Sequence, residues 1–434
     1  MTRLEKMYII INTTYVGYKA GVIRRKMKRS TFKSMIVLVC LLCLPGCAAT
    51  GKSGGRDNAE KQPEESADSM LSDGQEADDG YETDYIDIKE NEKQNIKNLI
   101  LDLGGVCKDI YIRADKGEAS NVVLDEETIH AMVETAAARG WAVTCGSYDY
   151  NMLNYEEVDQ ALGDASEGKA SQTEFYEITT SGYFRYFRLS AEERELTVIY
   201  ANAAYNDNMD LQIRQLEKFR VYDWEYTEKG WLIWEKALSK NQEMDMHSFF
   251  RILPLDEKCR ELCDQYILPV SYFCNNLFLT DWDAGSMEKI EFNDLYDFLY
   301  EMKYGEKLDE EVATDGIPKA QFEEVVLTYF DISVEQLEKY AHYDAAGGIY
   351  PWEPVNAWNR VRQVQPFPEV VRCEENQDGT CTLYVEGILI VAGDDCAFRH
   401  RVTMRERDGR WVYVANDIDE DENNVPGYIP RREF

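Results

Sequence analysis

The stretch Val221-Tyr222-Asp223-Trp224-Glu225-Tyr226-Thr227-Glu228-Lys229-Gly230-Trp231-Leu232-Ile233 decides how this chain is read. Aromatic and β-branched residues on either side of a charged turn ending in Gly predict two antiparallel strands joined at 227–230. The same order returns at Val402-Thr403-Met404-Arg405-Glu406-Arg407-Asp408-Gly409-Arg410-Trp411-Val412-Tyr413. Each hairpin closes a block in which helical pattern precedes strand pattern. In the first block Asp125 caps a helix with the apolar face Ile129, Met132, Val133 and Ala136, ended by Gly140, and residues 173–180, 182–189 and 195–203 read as strands. In the second, Pro318 opens a helix bearing Phe322, Val325, Val326, Tyr329 and Phe330, and Ser333-Val334-Glu335-Gln336 is a capping box for another. Glu369–Glu374, Thr380–Val391, Ala397–Arg405 and Trp411–Asn416 then read as strands. Between the blocks, residues 250–304 turn helical, with Leu295, Phe298, Leu299 and Met302 on one face.

The expected fold class is therefore α+β: two tandem domains, 91–245 and 316–434, each with helices packed on a curved antiparallel sheet and joined by a helical connector at 246–315. The two hairpins resemble the final hairpin of cone-shaped domains in the nuclear transport factor two-like superfamily, which implies a sheet curved round its helices. Ile317-Pro318-Lys319-Ala320-Gln321-Phe322-Glu323, Tyr329-Phe330-Asp331-Ile332-Ser333, Tyr340-Ala341-His342-Tyr343-Asp344 and Tyr350-Pro351-Trp352-Glu353 resemble segments of uncharacterised lipoproteins of Gram-positive anaerobes, over residues 317–418. That resemblance implies an exported, lipid-anchored protein whose C-terminal region is a domain of unknown function.

Location is read from the start of the chain. A basic segment, Arg24–Lys33, precedes the apolar run Met35–Leu44 and the small-residue site Leu44-Pro45-Gly46-Cys47, the pattern of a secretory leader. Leu-x-Gly-Cys resembles a bacterial lipobox, which implies cleavage between Gly46 and Cys47 and a diacylglycerol on the Cys47 thiol. The apolar run falls short of the roughly 20 residues that a spanning helix needs. Residues 1–46 thus read as a leader, and a start at Met27 would give a conventional one, Met27–Gly46. Residues 47–90 are rich in Gly, Ser, Asp, Glu and Gln and poor in large apolar side chains, the composition of a disordered acidic tether. The expected place is the outer face of the cytoplasmic membrane.

Charge narrows the partners. The whole chain has a formal net charge of −34, and removing residues 1–46 takes away nine Lys/Arg and one acid to leave −42. Such a surface lacks the cations that neutralise phosphates, so nucleic acid is not an expected partner, and attachment to a membrane falls to the N-terminal lipid. Eight cysteines follow Cys47. Cys259 and Cys263 share the apolar face of a helix starting near Asp256. In the 373–381 hairpin Cys373 is expected opposite Leu383 and Cys381 opposite Glu375, a diagonal pair ill placed for a disulfide.

Catalytic patterns are few. Gly46-Cys47-Ala48-Ala49-Thr50-Gly51-Lys52-Ser53 matches a phosphate-cradling loop, but Gly54-Gly55-Arg56-Asp57-Asn58 follows where a helix is required, and Leu99-Ile100-Leu101-Asp102 would have to serve as the magnesium-binding strand. His247, Cys259, Cys263 and Cys274 match no zinc spacing. Asp417–Asn423 starts like a calcium loop but carries Glu422 where Gly is needed and Tyr428 where a bidentate Glu belongs. No metal, cofactor or catalytic residue is assigned. The expected binding surface is Tyr350-Pro351-Trp352-Glu353-Pro354 with Trp358 and Trp282, aromatics suited to stacking on sugar or peptide unless they fill the core. Two functions compete: a non-enzymatic envelope lipoprotein that binds a protein, peptide or glycan, and an extracellular hydrolase using two or more of His130, His342, Asp281, Asp283 and Glu353. A solute receptor of an importer would need repeated βα units, which the chain lacks.

Overall fold

The computed structural model describes residues 81–117, 121–146, 150–239, 247–309, 316–354, 365–419 and 425–432. The fold is α+β, and the described residues of 82–238 and from 247 onward belong to one unit by contact. Strand β1 (Asp84–Tyr85) precedes helix α1 (Glu90–Arg113), α2 (Glu126–Ala137), β2 (Val143–Cys145) and α3 (Glu156–Ser166). Four strands follow: β3 (Ser171–Ile178), β4 (Tyr183–Glu192), β5 (Glu195–Tyr205) and β6 (Leu211–Arg220). They form a six-stranded sheet of order β1-β6-β5-β4-β3-β2, antiparallel except for the parallel pair β2–β3.

Local chemistry accounts for the helix ends. Asp125 accepts a hydrogen bond from the Thr128 amide (2.7 Å), Glu126 and Glu127 sit at the positive end of α2, and Ile129, Met132, Val133 and Ala136 are buried, as the spacing predicts. Helix α1 went unforeseen. Its buried face is Ile96, Ile100, Leu103, Cys107 and Tyr111, yet Leu101 and Ile112 are exposed and Gly104-Gly105 interrupts it. A Cβ at Gly104 would lie 2.4 Å from Leu211 Cδ2, so the glycine lets α1 press onto β6. Leu99–Asp102 lie within this helix, which removes them as a magnesium-binding strand.

The decisive hairpin is present, but it builds its own sheet. Strands β7 (Asp223–Tyr226) and β8 (Trp231–Glu235) pair antiparallel with Trp224 opposite Trp234, and β9 (His247–Arg251) pairs with the other edge of β8. Alternation along β8 serves two cores: Leu232 and Trp234 pack with Phe187, Val198 and Phe219 of the six-stranded sheet, while Trp231 and Ile233 pack with Phe249 and Ile388. Gly230, with φ of 85°, closes the turn beneath Leu253; a Cβ there would stand 2.3 Å from Leu253 Cβ. Gly230→Ala is expected to cost about 2–4 kcal/mol by combining left-handed strain with overpacking, measured as a lower denaturant midpoint at unchanged m-value.

The segment expected to be helical from 250 to 304 is only partly so. Helix α4 (Glu257–Leu262), capped by Asp256, runs into a π turn at Cys263–Ile267; irregular chain then includes the short strand β10 (Trp282–Asp283), and α5 (Phe292–Tyr304) follows. Buried asparagines replace ladder bonds in the irregular part: Asn275 donates to the Val270 carbonyl (2.9 Å), and Asn276 donates to Lys289 O (2.6 Å) while accepting from the Glu291 amide (3.0 Å). Helix α6 (Lys319–Tyr329) starts after Pro318, and α7 (Val334–Tyr340) carries the expected capping box of Ser333 and Gln336. The chain closes with β11 (Phe367–Glu375), β12 (Thr380–Leu389), β13 (Asp394–Arg407) and β14 (Arg410–Ile418), in a five-stranded sheet of order β10-β14-β13-β12-β11. Cys373 pairs with Leu383 and Glu375 with Cys381, the register read from the sequence. One core joins this sheet to α5, α6 and the irregular chain through Phe278, Phe292, Leu295, Phe322, Phe330, Val402 and Tyr413. No helix among the described residues is long and apolar enough to cross a membrane.

Candidate functional site

The structure corrects the expected aromatic surface. Tyr350 is fully buried, stacked on Phe322 with ring centroids 4.2 Å apart, and its hydroxyl donates to Glu323 Oε1 (3.0 Å). Trp352 is buried, its indole N–H donating to Asp297 Oδ1 (2.7 Å). Trp282 is buried against Phe330 and donates to the Leu277 carbonyl (2.7 Å). These three rings fill the core, because each indole or phenol finds an acceptor and the apolar remainder gains by leaving water. Trp358, Gly46, Cys47 and the phosphate-loop match lie outside the described residues.

The residues named for hydrolysis are spent separately. His130 stacks on Tyr150 (4.2 Å between ring centroids). Asp281 accepts from the Ile418 amide (2.7 Å), and Asp283 Oδ1 accepts from the Gly285 amide (2.8 Å) and Ser286 Oγ (2.9 Å). His342 sits exposed at the end of α7 with φ of 57°, and the Glu353 carbonyl accepts from Arg432 Nε (2.7 Å). Among the described residues no hydrogen bond or ion pair joins any two of these five. The other histidines are also engaged. His247 Nε2 donates to Glu235 Oε1 (2.8 Å). His400, fully buried, donates from Nδ1 to Asn416 Oδ1 (2.7 Å) and accepts from the Tyr272 hydroxyl at Nε2 (2.9 Å). That tautomer is fixed by Asn416 Nδ2, which donates to Thr280 O (2.9 Å) and so turns Oδ1 toward the ring. Burial pushes the His400 imidazole down to about 3, so it is neutral at physiological pH.

The densest polar constellation was not foreseen. Asn293, Asp294 and Asp297 on the first turns of α5 receive the segment 425–432 as a clasp. Arg432 Nη1 donates to Asp294 Oδ1 (3.1 Å) and Asn293 O (3.1 Å), and Nη2 donates to Asp297 Oδ2 (3.0 Å). Its guanidinium lies 4.4 Å from the Trp352 ring centroid. Asp294 Oδ2 accepts from the Tyr428 hydroxyl (2.5 Å) and the Arg431 amide (2.7 Å). Arg432 and Asp294 are both buried. Burial, the hydrogen bond and the Asp294 charge hold the Tyr428 phenol well above its ordinary range, and burial beside Asp294 raises the Glu291 carboxyl. The chemistry is charge pairing with almost every lone pair used, which fastens loop 351–354 over the core. A sequence signal existed: Asn293 and Asp294 interrupt an apolar helix, and Arg431-Arg432 is a basic pair in an acidic chain.

A second, partly buried cluster lies where β8 and β9 meet the five-stranded sheet. Lys229 pairs with Glu386 (2.5 Å) and Asp395 (3.5 Å), and Arg399 Nε donates to Glu386 Oε1 (3.1 Å). Arg251 faces Glu369 (3.4 Å), whose Oε2 also accepts from Trp231 Nε1 (3.4 Å). Burial raises the Glu369 carboxyl and lowers the Arg251 guanidinium, the directions expected when charge leaves water. Glu369 Oε1, Asp395 Oδ2 and Arg251 Nε make no hydrogen bond among the described residues. No group of three His, Cys, Asp or Glu side chains among the described residues is arranged to hold a metal ion.

No curated protein and no solved structure matches the chain. A family profile matches from within α1 to the clasp, residues 93–431, a wider span than the 317–418 stretch that carried the resemblance in the sequence. The chain therefore belongs to DUF6070, a family of unknown function.

Proposed function

We propose that this protein is a lipid-anchored lipoprotein on the outer face of the cytoplasmic membrane, whose folded body works as a non-enzymatic binding module for an envelope protein, peptide or glycan. The observation that carries the reading is Leu44-Pro45-Gly46-Cys47 behind a basic segment and a short apolar run, followed by an acidic stretch that precedes the first described strand. The acidity of the body supports it, since lipid then holds the chain while charge keeps the fold off an anionic surface. Binding is favoured over hydrolysis because His130, His247 and His400 are committed to packing and hydrogen bonds that hold the fold. In cells, Cys47→Ser is expected to abolish labelling by a palmitate probe and to move the protein from the membrane pellet to the soluble or leader-retaining fraction. Persistent labelling with processing at the same bond would overturn the anchor. Release of fragments from purified cell-wall material by the protein would overturn the non-enzymatic part.

A further inference from the structure

Strand β6 has one open side. Its inner edge pairs along β5, but on the outer edge β1 reaches only Phe219 and Arg220, and the Ile86 amide donates to the Lys218 carbonyl (2.8 Å). The alternation of antiparallel pairs fixes which backbone groups face outward. Across the β5–β6 turn the Asn206 amide donates to the Asp210 carbonyl (3.0 Å), so the next pair, Tyr205 with Leu211, is a non-hydrogen-bonded one. Leu211 and Ile213 therefore point their N–H and C=O away from β5. From the other end Lys218 points outward, hence Leu216 does too, and the extra residue Arg214 separates the two stretches. Among the described residues no hydrogen bond reaches the outward groups of Leu211, Ile213 or Leu216.

Helix α1 overlooks this edge. It runs antiparallel to β6, with Glu92 beside Lys218 (3.7 Å) and Gly104 against Leu211. Steps of three, four or seven residues keep to one helix flank, so Lys97, Leu101 and Lys108 share the flank of Gly104, and Ile112 follows one turn on. Leu101 and Ile112 are 43% and 48% exposed, whereas Leu99, Val106 and Ile110 on the opposite flank pack on the core. Beneath the ledge the side chains of Leu211, Ile213 and Leu216 are half-buried on the same core. The rim is cationic in an acidic chain. Lys97, Lys108 and Arg214 make no ion pair among the described residues, and β6 carries three bases, Arg214, Lys218 and Arg220, against one acid, Glu217.

Resting on the reading of the body as a binding module, we propose that the outer edge of β6 takes up an extended acidic peptide segment of a partner protein as a further strand. Its backbone pairs with Leu211, Ile213 and Leu216, its alternate apolar side chains meet Leu101 under the flank of α1, and its carboxylates meet Lys97, Lys108 and Arg214. Backbone pairing supplies the hold, and the cations select for charge. A second copy of the chain is the poorer occupant, because two β6 edges would set their bases against each other.

The test takes the purified full chain and a short dye-labelled peptide alternating Glu and Val, with a Lys–Val counterpart and a version carrying Pro at every Val as controls. Fluorescence anisotropy is expected to give saturable binding of the Glu–Val peptide with Kd on the order of 10–100 µM, weakening as salt is added. Deuterium uptake over residues 211–216 should slow only when that peptide is present. Leu101→Glu and Arg214→Glu, both at exposed positions, should each weaken binding by at least about tenfold with the melting curve unchanged. Cys47→Ser should bind as the parent does. The proposal is overturned by absent or equal binding of the three peptides, by slow uptake over 211–216 before any peptide is added, or by a dimer that Leu101→Glu dissolves. Such a failure leaves the anchor and the non-enzymatic reading standing, since those are judged by the palmitate label and by cell-wall material.

Discussion

Asp294→Asn is expected to cost about 3–5 kcal/mol of stability, the range for breaking a buried ion pair by removing one partner. The reason is the accounting at Arg432: its guanidinium is buried, and Asp294 and Asp297 are the two carboxylates it faces. Without the first, a cation stays out of water with half its compensation, and the Tyr428 hydroxyl and Arg431 amide lose an anionic acceptor. Guanidinium denaturation measures the loss, and a red shift of Trp352 emission, isolated by difference against Trp352→Phe, reports whether loop 351–354 opens first. Replacing both charges, Asp294→Leu with Arg432→Met, should recover part of the loss, because nothing charged is then stranded. A cost below about 1 kcal/mol for the single change would mean that the clasp is solvated like a surface pair.

Acid should weaken the fold through His400. The unfolded chain takes up a proton at this imidazole near pH 6.5, whereas the folded protein resists until about pH 3. Between those values the unfolded state binds one more proton, so the contribution is complete above pH 6.5 and declines by about 1.4 kcal/mol per pH unit below it. From pH 7 to pH 5 that amounts to about 2 kcal/mol, rising toward about 5 kcal/mol at pH 3. Glu369 and Glu291, raised by burial, act in the opposite sense, so the histidine is isolated by the difference between the parent and a variant that lacks it. Denaturation curves for the parent and for His400→Gln at pH 7, 6 and 5 should differ in slope by close to one proton. Equal slopes would show that the ring takes up its proton in the folded state.

What the sequence disclosed, and what it hid, follows the range of the interactions involved. Caps at Asp125 and Ser333 depend on residues three apart, and hairpins at Gly230 and Gly409 on turns with positive φ, so both could be read directly. Strand β6 escaped because its alternation slips: Ala203 pairs with Ile213 and Asn202 with Gln215, leaving Arg214 as an extra residue that breaks the period of two. Helix α1 escaped because Gly104, one of the two glycines that interrupt it, answers a neighbour, Leu211, more than a hundred residues away in the chain. The fate of Tyr350, Trp352 and Trp282 could not be settled locally, since an aromatic-rich loop looks the same whether it faces solvent or an arginine arriving from residue 432. The clasp itself joins residues 134–139 positions apart.

The short strand β10 is held by partners that arrive late. Trp282 and Asp283 pair with Asn416 and Ala415, Asn416 donates to the Thr280 carbonyl 136 positions away, and the Ile418 amide reaches Asp281. Nothing nearer in the chain supplies those bonds, so residues 280–283 must wait, loosely tethered, until β14 is laid down. Such a high contact order slows the search for the native topology. It also lengthens the time for which the apolar residues 277–290 remain accessible to chaperones and proteases.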